Sequence, residues 1–198
     1  MKMLHRDDLY AWSGFDEARN IDFNSYLWTR PTGNVVVDPM PLSEHDRTHM
    51  EALGKVAWIV ITNSDHVRAA MALAEDTGAL IAGPSGERDT FPLECARWLQ
   101  EGDEVVEGLS VLEMQGSKTP GELALVLEET TLITGDLVRS HRGGTLMMLP
   151  DAKLQDAALA QASVLRLSEL PAIDAVLVGD GWPVFRGGTA RLVELAQS

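Results

Sequence analysis

The chain has 198 residues, of which 45% are hydrophobic and 23% are charged. This is ordinary globular usage, so a disordered tail and a collagen-like repeat are excluded, and the length predicts one domain over residues 1–198. The 30 Asp and Glu residues outnumber the 16 Lys and Arg residues, which leaves a formal net charge of −14. Because such a charge repels a phosphate backbone, the composition argues against a nucleic-acid partner.

The cysteine content and the N-terminal residues indicate the cellular compartment in which the protein is expected. The single Cys95 cannot form an internal disulfide, and residues 5–8 are ionisable where a secretory signal would need an apolar core. The longest purely apolar run, Val56–Ile61, is far shorter than the roughly 18 residues that a membrane span needs. We therefore expect a cytoplasmic protein without a membrane partner.

The first half of the chain alternates extended and helical patterns. A turn-forming cluster at residues 31–34 separates two extended runs and predicts a β-hairpin over residues 25–38. The apolar run Val56–Ile61 is rich in β-branched and aromatic residues, which is typical of a strand buried on both faces. Capping residues and helical spacing predict two helices, at about residues 43–54 and 67–78, and a short strand follows at 79–82.

The second half of the chain also contains extended and helical patterns. Two β-hairpins are predicted, at residues 103–115 and 122–134, and a long amphipathic helix is predicted from Pro150-Asp151 to about Leu170. Ala175–Val178 predicts a second buried strand, and Thr189–Ala196 predicts a closing helix. The two halves thus contain similar sets of hairpins, helices and apolar strands. This weak similarity suggests two sheets packed face to face with helices outside, although periodicity alone also allows another α/β layering.

Three apolar strands of the predicted fold end at acidic loops, which contain Asp65, Asp136 and Asp180. A carboxylate at the end of a buried strand is costly to desolvate unless it has a cation or several hydrogen-bond donors. If the three loops converge, they therefore require a metal ion or a basic side chain. The alternative is that the three carboxylates are solvated caps of their strands.

Five motifs follow one another in an order that resembles the metallo-β-lactamase superfamily. In this chain they are Asp38-Pro39, Thr62–His66, Thr119-Pro120-Gly121, Gly135-Asp136 and Gly179-Asp180-Gly181. The resemblance implies an α/β (α+β) fold, a four-layer αββα sandwich with a metal site on the loops where the two sheets meet. It also implies hydrolysis of an ester, thioester, amide or phosphodiester.

The sequence departs from the family pattern at the metal ligands. The family's H-x-H-x-D-H motif corresponds here to residues 61–66, so Ile61 and Asn63 stand at two histidine positions. A third histidine position, directly before the Thr-Pro-Gly motif, is Lys118. Because isoleucine has no lone pair and an ammonium group is not a metal ligand, the usual two-zinc centre cannot be built from these residues.

The positions that do match the family's second metal position leave two accounts open. They are Asp65, His66, Asp136 and Asp180, the last at a histidine position. In one account they hold a single divalent ion, Zn²⁺, Mn²⁺ or Fe²⁺. In the other there is no cofactor, and Lys118 supplies the positive charge among the three carboxylates.

Each account assigns roles to particular side chains. With one metal ion, Asp65 would orient a water molecule or accept its proton, and Lys118 would polarise a substrate carbonyl. Without a metal, Lys118 and His66 remain as acid–base groups. Arg139 and His141 follow the Gly135-Asp136 motif and are candidates for binding a substrate, as is Trp182 at the predicted mouth of the pocket.

The sequence therefore leads to two functional hypotheses. The first is a hydrolase-like protein with a degenerate active site that has lost the dinuclear zinc centre. The alternative is a noncatalytic ligand-binding or interaction protein in which Lys118 replaces the metal. Both have a small molecule as partner, and both leave a homodimer open.

Overall fold

The computed structural model describes all 198 residues as two β-sheets and four α-helices. The strands are β1 (Lys2–Met3), β2 (Leu9–Asp16), β3 (Ile21–Trp28), β4 (Asn34–Val37), β5 (Val56–Val60), β6 (Leu80–Pro84), β7 (Arg97–Leu99), β8 (Glu104–Val106), β9 (Leu109–Glu113), β10 (Leu123–Leu127), β11 (Thr131–Thr134), β12 (Val138–Arg139), β13 (Met147–Met148) and β14 (Ala175–Val178). The helices are α1 (Glu44–Leu53), α2 (Ala70–Thr77), α3 (Ala157–Ser168) and α4 (Gly188–Ala196).

The two large sheets differ in strand order. The first contains β1 to β7 in sequential order, antiparallel up to β4 and parallel from β4 to β7. The second has the order β14-β11-β10-β9-β8, and β14 pairs with β11 in parallel. Strands β12 and β13 form a separate small ribbon.

Three buried apolar clusters hold the layers together. One lies between the two sheets and includes Tyr26 and Leu125. A second packs the five-stranded sheet against α3 and α4, and a third packs the seven-stranded sheet against α1 and α2. Burial of this apolar surface is the main force that fixes the order of the layers. The predicted four-layer αββα sandwich is thus confirmed.

The elements agree with the sequence patterns in most places and differ in two. The pattern did not predict β1, β2, β7, β12 and β13, which are short or alternate only weakly between buried and exposed side chains. Helix α3 begins at Ala157 instead of directly after Pro150-Asp151. The Asp156 side chain accepts hydrogen bonds from two backbone N–H groups of the first turn, while the Asp156 backbone N–H itself donates to Gly116, which fixes the start there. The longest helix has 12 residues, and no helix has the length and apolar character needed to cross a membrane.

Helix α1 provides a test of the local capping chemistry. Ser43 Oγ accepts a hydrogen bond of 3.1 Å from the backbone N–H of Asp46. Replacing Ser43 by alanine is expected to lower the free energy of unfolding by about 1 kcal/mol, because this N–H loses its partner. Urea unfolding of the variant checks this, and an unchanged midpoint would show that the cap contributes nothing.

Candidate functional site

Parallel strand pairs bring the predicted loops together at one edge of the sandwich. Because β11 and β14 run in parallel, Asp136 and Asp180 leave the five-stranded sheet at the same end. Strands β4 and β5 are also parallel, so Asp38 and His66 follow the corresponding end of the seven-stranded sheet. The two edges are joined where the backbone of β3 donates to the carbonyl of Gly179 at 2.9 Å.

His66 is held by a buried hydrogen-bond network behind it. Its Nδ1 lies 2.8 Å from Asp38 Oδ2, and the same carboxylate accepts from the backbone N–H of Thr62 at 2.8 Å and from its hydroxyl at 2.6 Å. Asp38 adopts φ 49°, a left-handed conformation that aspartate tolerates better than most residues. These contacts fix the imidazole plane and leave Nε2 facing the loop of Asp136.

The charge of His66 is set by the carboxylates on both sides of the ring. Its Nε2 lies 3.5 Å from Asp136 Oδ1. Burial alone lowers the pKa of His66, but the charge of Asp38 and the contacts with both carboxylates outweigh it and raise the pKa to about 10. The same contact with His66 helps to hold the pKa of Asp136 well below its usual range despite its burial. At neutral pH the ring is therefore an imidazolium between two carboxylates.

Arg139 forms the second cationic contact of the cluster. One guanidinium nitrogen, Nη2, lies 3.1 Å from Asp136 Oδ1 and 2.8 Å from Asp180 Oδ2, and all three side chains are at most 8% exposed. Burial raises the pKa of Asp180, and Arg139 only partly opposes this effect. The guanidinium group thus lies between the two carboxylates that the sequence placed in a metal site.

Lys118 has a different partner from Arg139. Its ammonium group forms an ion pair with Asp65, and both side chains are 44% exposed. Burial lowers the pKa of Lys118, but the hydrogen bond to Asp65 and the charges of Asp136 and Asp65 together outweigh it and raise the pKa. The positive charge between Asp136 and Asp180 therefore comes from Arg139, and Lys118 pairs only with the third carboxylate of the predicted set.

Glu122 lies buried beneath the loop of Asp136. Its Oε1 accepts from the backbone N–H of Leu137 at 2.8 Å, and its Oε2 accepts from the hydroxyl of Ser117. Burial, with the charge of Asp136 added, raises the pKa of Glu122 to about 8. Glu122 thus connects the loop that precedes β10 to the loop that follows β11.

A cavity of about 660 Å³ opens above this cluster. It is lined by Asp65, His66, Lys118, Asp136, Arg139 and Asp180, so five of the predicted site residues and the predicted substrate-binding Arg139 share it. The cavity wall opposite this cluster is formed by the hairpin of β2 and β3, which the sequence patterns did not predict in full. The other two predicted substrate-binding residues, His141 and Trp182, line a smaller neighbouring cavity of about 240 Å³. Burial and Arg139 lower the pKa of His141.

The residues of this cluster fit only in part the metal site that the resemblance to the family implies. Ile61 packs in the apolar layer below the helices, and Lys118 is paired with Asp65, so the set for a two-metal centre is missing. His66, Asp136 and Asp180 do place one donor atom each within 4.8 Å of one another. Asp136 Oδ2 and Asp180 Oδ1 are buried without a partner, whereas the other oxygen of each carboxylate is bound to Arg139.

Four residues of the site were not identified individually from the sequence: Asp38, Thr62, Arg68 and Glu122. Asp38 was noted only as part of a motif, and its signal is a polar residue that ends an apolar strand. Arg68 follows His66 closely, and its Nη1 donates to the carbonyls of Asn24 and Asp38 at 2.8 and 3.1 Å. No pattern in the sequence identifies Glu122, because a lone acid before a strand is usually solvated.

Comparisons with known proteins agree with this architecture. A family model described as the metallo-beta-lactamase superfamily matches residues 1–198. Similar solved structures include a metallo-beta-lactamase from Pontibacter korlensis, with 13% identity, a TM-score of 0.77 and coverage of 100% of this chain and 98% of that chain. The FIM-1 enzyme from Pseudomonas aeruginosa, solved in a mono-zinc form, has 14% identity, a TM-score of 0.72 and coverage of 96% and 90%.

A third structure, TTHA1623 in a di-iron-bound form, has 25% identity, a TM-score of 0.69 and coverage of 86% of this chain and 93% of that chain. A comparison with the curated proteins finds no similar sequence. The match of the family model over the full length, together with the sandwich and the edge position of the cluster, identifies the family. This chain belongs to the metallo-β-lactamase superfamily.

Proposed function

We propose that the protein is a ligand-binding member of the superfamily that works without a metal ion, and that Arg139 supplies the positive charge at the centre of its site. The observation that carries this proposal is the position of Arg139 Nη2, 3.1 Å from a carboxylate oxygen of Asp136 and 2.8 Å from one of Asp180. A metal ion at this place would share both carboxylates with the guanidinium group, and the two cations would repel each other. This proposal keeps the alternative hypothesis from the sequence, a noncatalytic protein without a metal ion. The positive charge among the carboxylates is now assigned to Arg139 instead of Lys118.

The state of His66 supports the same proposal. Its Nδ1 lies 2.8 Å from Asp38 Oδ2 and its Nε2 lies 3.5 Å from Asp136 Oδ1, so both ring nitrogens already face carboxylates. Arg139 and His66 together contact three buried carboxylates, those of Asp38, Asp136 and Asp180. Buried charges are stabilised when they are paired and hydrogen-bonded, and each of these carboxylates has a cationic partner within the protein.

Metal content is the direct test of this proposal. The protein, purified without a histidine tag and incubated with Mn²⁺, Fe²⁺ and Zn²⁺ in turn, is expected to retain far less than one equivalent of metal after desalting. Elemental mass spectrometry of the wild type and of Asp136→Ala measures it. Near one equivalent in the wild type that is absent from Asp136→Ala would overturn the metal-free proposal.

One observation favours a second candidate, a hydrolase with a single metal ion. The unpartnered buried oxygens Asp136 Oδ2 and Asp180 Oδ1, with His66 close by, form a donor set of one nitrogen and two carboxylates. An ion held there would supply Lewis-acid activation of water. Asp65 would accept a proton in the cavity and Lys118 would hold an anionic group of the substrate, and the metal measurement above separates this candidate from the first.

A further inference from the structure

The cavity above the cluster differs in charge from the rest of the protein. Five of the 16 Lys and Arg residues and five of the 30 Asp and Glu residues line it, which leaves 11 basic and 25 acidic residues elsewhere. The formal charges of the lining thus cancel, whereas the rest of the chain carries the whole net charge of −14, so the cavity repels an anion less than the remaining surface does.

The ion pairs inside the cavity show which charges are still free. Four of the five lining carboxylates have a cationic partner within 4.0 Å: Asp16 with Arg19, Asp65 with Lys118, and Asp136 and Asp180 with Arg139. The cations without a carboxylate at this distance are Arg68 and Lys153. Lys153 is exposed at the rim, whereas Arg68 lies deeper, beside the cluster.

Arg68 has the features of a prepared anion-binding group. Its Nη1 is fixed by the carbonyls of Asn24 and Asp38, and its Nη2 is buried with no hydrogen-bond acceptor. The guanidinium carbon lies 5.4 Å from the centroid of the Phe23 ring. A donor that is buried without an acceptor is costly, and no carboxylate lies within 4.0 Å of this guanidinium, so its charge is free to attract an anion in the cavity.

The rest of the lining is suited to an apolar group. Phe15, Ile21 and Phe23 belong to the β2–β3 hairpin, and Met40 and Leu149 complete the apolar lining. The volume of about 660 Å³ is in the range of small-molecule sites. The ligand therefore combines a negative charge with an apolar portion.

We infer that the cavity binds a small organic anion, with its carboxylate or phosphate group against Arg68 and its apolar portion against Phe15, Ile21 and Phe23. Lys153 attracts the ligand from the rim. This inference deepens the proposed ligand-binding function and rests on it. Anion binding is the role of Arg68 rather than Arg139, since Arg139 is already engaged by two carboxylates.

Calorimetric titration with simple probes tests the inference in metal-free protein. Phenyl phosphate and benzoate are expected to bind, and their relative affinities distinguish a phosphate from a carboxylate ligand. Inorganic phosphate, which lacks the apolar portion, and benzyl alcohol, which lacks the charge, are expected to bind at least about tenfold more weakly. Equal binding of benzyl alcohol, or no binding of either aromatic anion, would overturn the inference.

Variants locate the anion within the cavity. Arg68→Gln is expected to weaken the binding of the better probe at least about tenfold, because a charge-assisted hydrogen bond is lost. Lys153→Gln, at an exposed position, is expected to weaken it several-fold and keeps the test valid if Arg68→Gln does not fold. Arg186→Gln is the matched control, because Arg186 is exposed and lies outside the cavity. Wild-type affinity in both cavity variants would overturn the inference.

Metal analysis of the same samples separates this inference from the proposed function. Probe binding that is lost on chelation, in protein with one equivalent of metal, overturns the metal-free proposal. Failure of every probe to bind metal-free protein overturns the inferred ligand class alone.

Discussion

Replacing Arg139 by alanine is expected to lower the free energy of unfolding by about 3 to 5 kcal/mol. The substitution removes the cation that contacts both Asp136 and Asp180, while these carboxylates stay 7% and 4% exposed. Two buried carboxylates without their common partner repel each other and remain desolvated. His66 then contacts only Asp136 of the two, and its other side is already engaged by Asp38.

Urea unfolding in the presence of a chelator measures this loss. The control is Arg186→Ala, because Arg186 is exposed and forms no ion pair, so its effect is expected to stay within about 0.5 kcal/mol. Adding Asp180→Asn to Arg139→Ala should recover part of the stability, since one of the two uncompensated charges is removed. A loss below about 1 kcal/mol for Arg139→Ala would show that the guanidinium is not the counterion of the pair.

The same variant separates the two accounts of the site by a measurement of stability instead of activity. Without Arg139, the oxygens Asp136 Oδ1 and Asp180 Oδ2 become free for another cation. Addition of Zn²⁺ or Mn²⁺ should therefore raise the melting temperature of Arg139→Ala and leave that of the wild type unchanged. A comparable rise in the wild type would mean that a metal binds beside Arg139.

The strands that position the site could be predicted because their sequences are unambiguous. Val56–Ile61 and Ala175–Val178 are continuous apolar runs, and the polar residues that follow them mark the strand ends. The order of the motifs then predicted that these ends meet at one edge of a sandwich. The pairing of β11 with β14 in parallel is the physical reason that Asp136 and Asp180 do meet.

The partners within the site could not be predicted in the same way, because they depend on long-range contacts. His66 and Asp38 are 28 positions apart, and nothing local shows that their side chains bond. Arg139 lines the cavity, but its contacts with Asp136 and Asp180 were not predicted from the sequence. The β2–β3 hairpin lines one wall of the cavity. This wall was not predicted, because buried and exposed side chains alternate only weakly in β2.

The stability of the protein is expected to fall as the pH rises from about 7 to 9, and His66 is a main cause. Its pKa is about 10 in the folded protein and about 6.5 in an unfolded chain. A raised pKa stabilises the fold fully below pH 6.5, and this contribution is lost as the pH rises through 10. Between these values the folded state holds one proton more at His66, so stability falls by about 1.4 kcal/mol per pH unit.

Urea unfolding at several pH values between 7 and 9 measures the slope, and His66→Gln is expected to make it shallower by about 1.4 kcal/mol per unit. Glu122 acts in the same direction up to its pKa of about 8, so Glu122→Gln is the companion variant that isolates its share. The groups facing the ring are Asp38, Asp136 and Arg68, and Asp38→Asn should also reduce the slope by removing a carboxylate that holds the proton. If His66→Gln kept the wild-type slope, or if nitrogen NMR found a neutral ring at pH 8, His66 would not be the charged partner of Asp38 and Asp136.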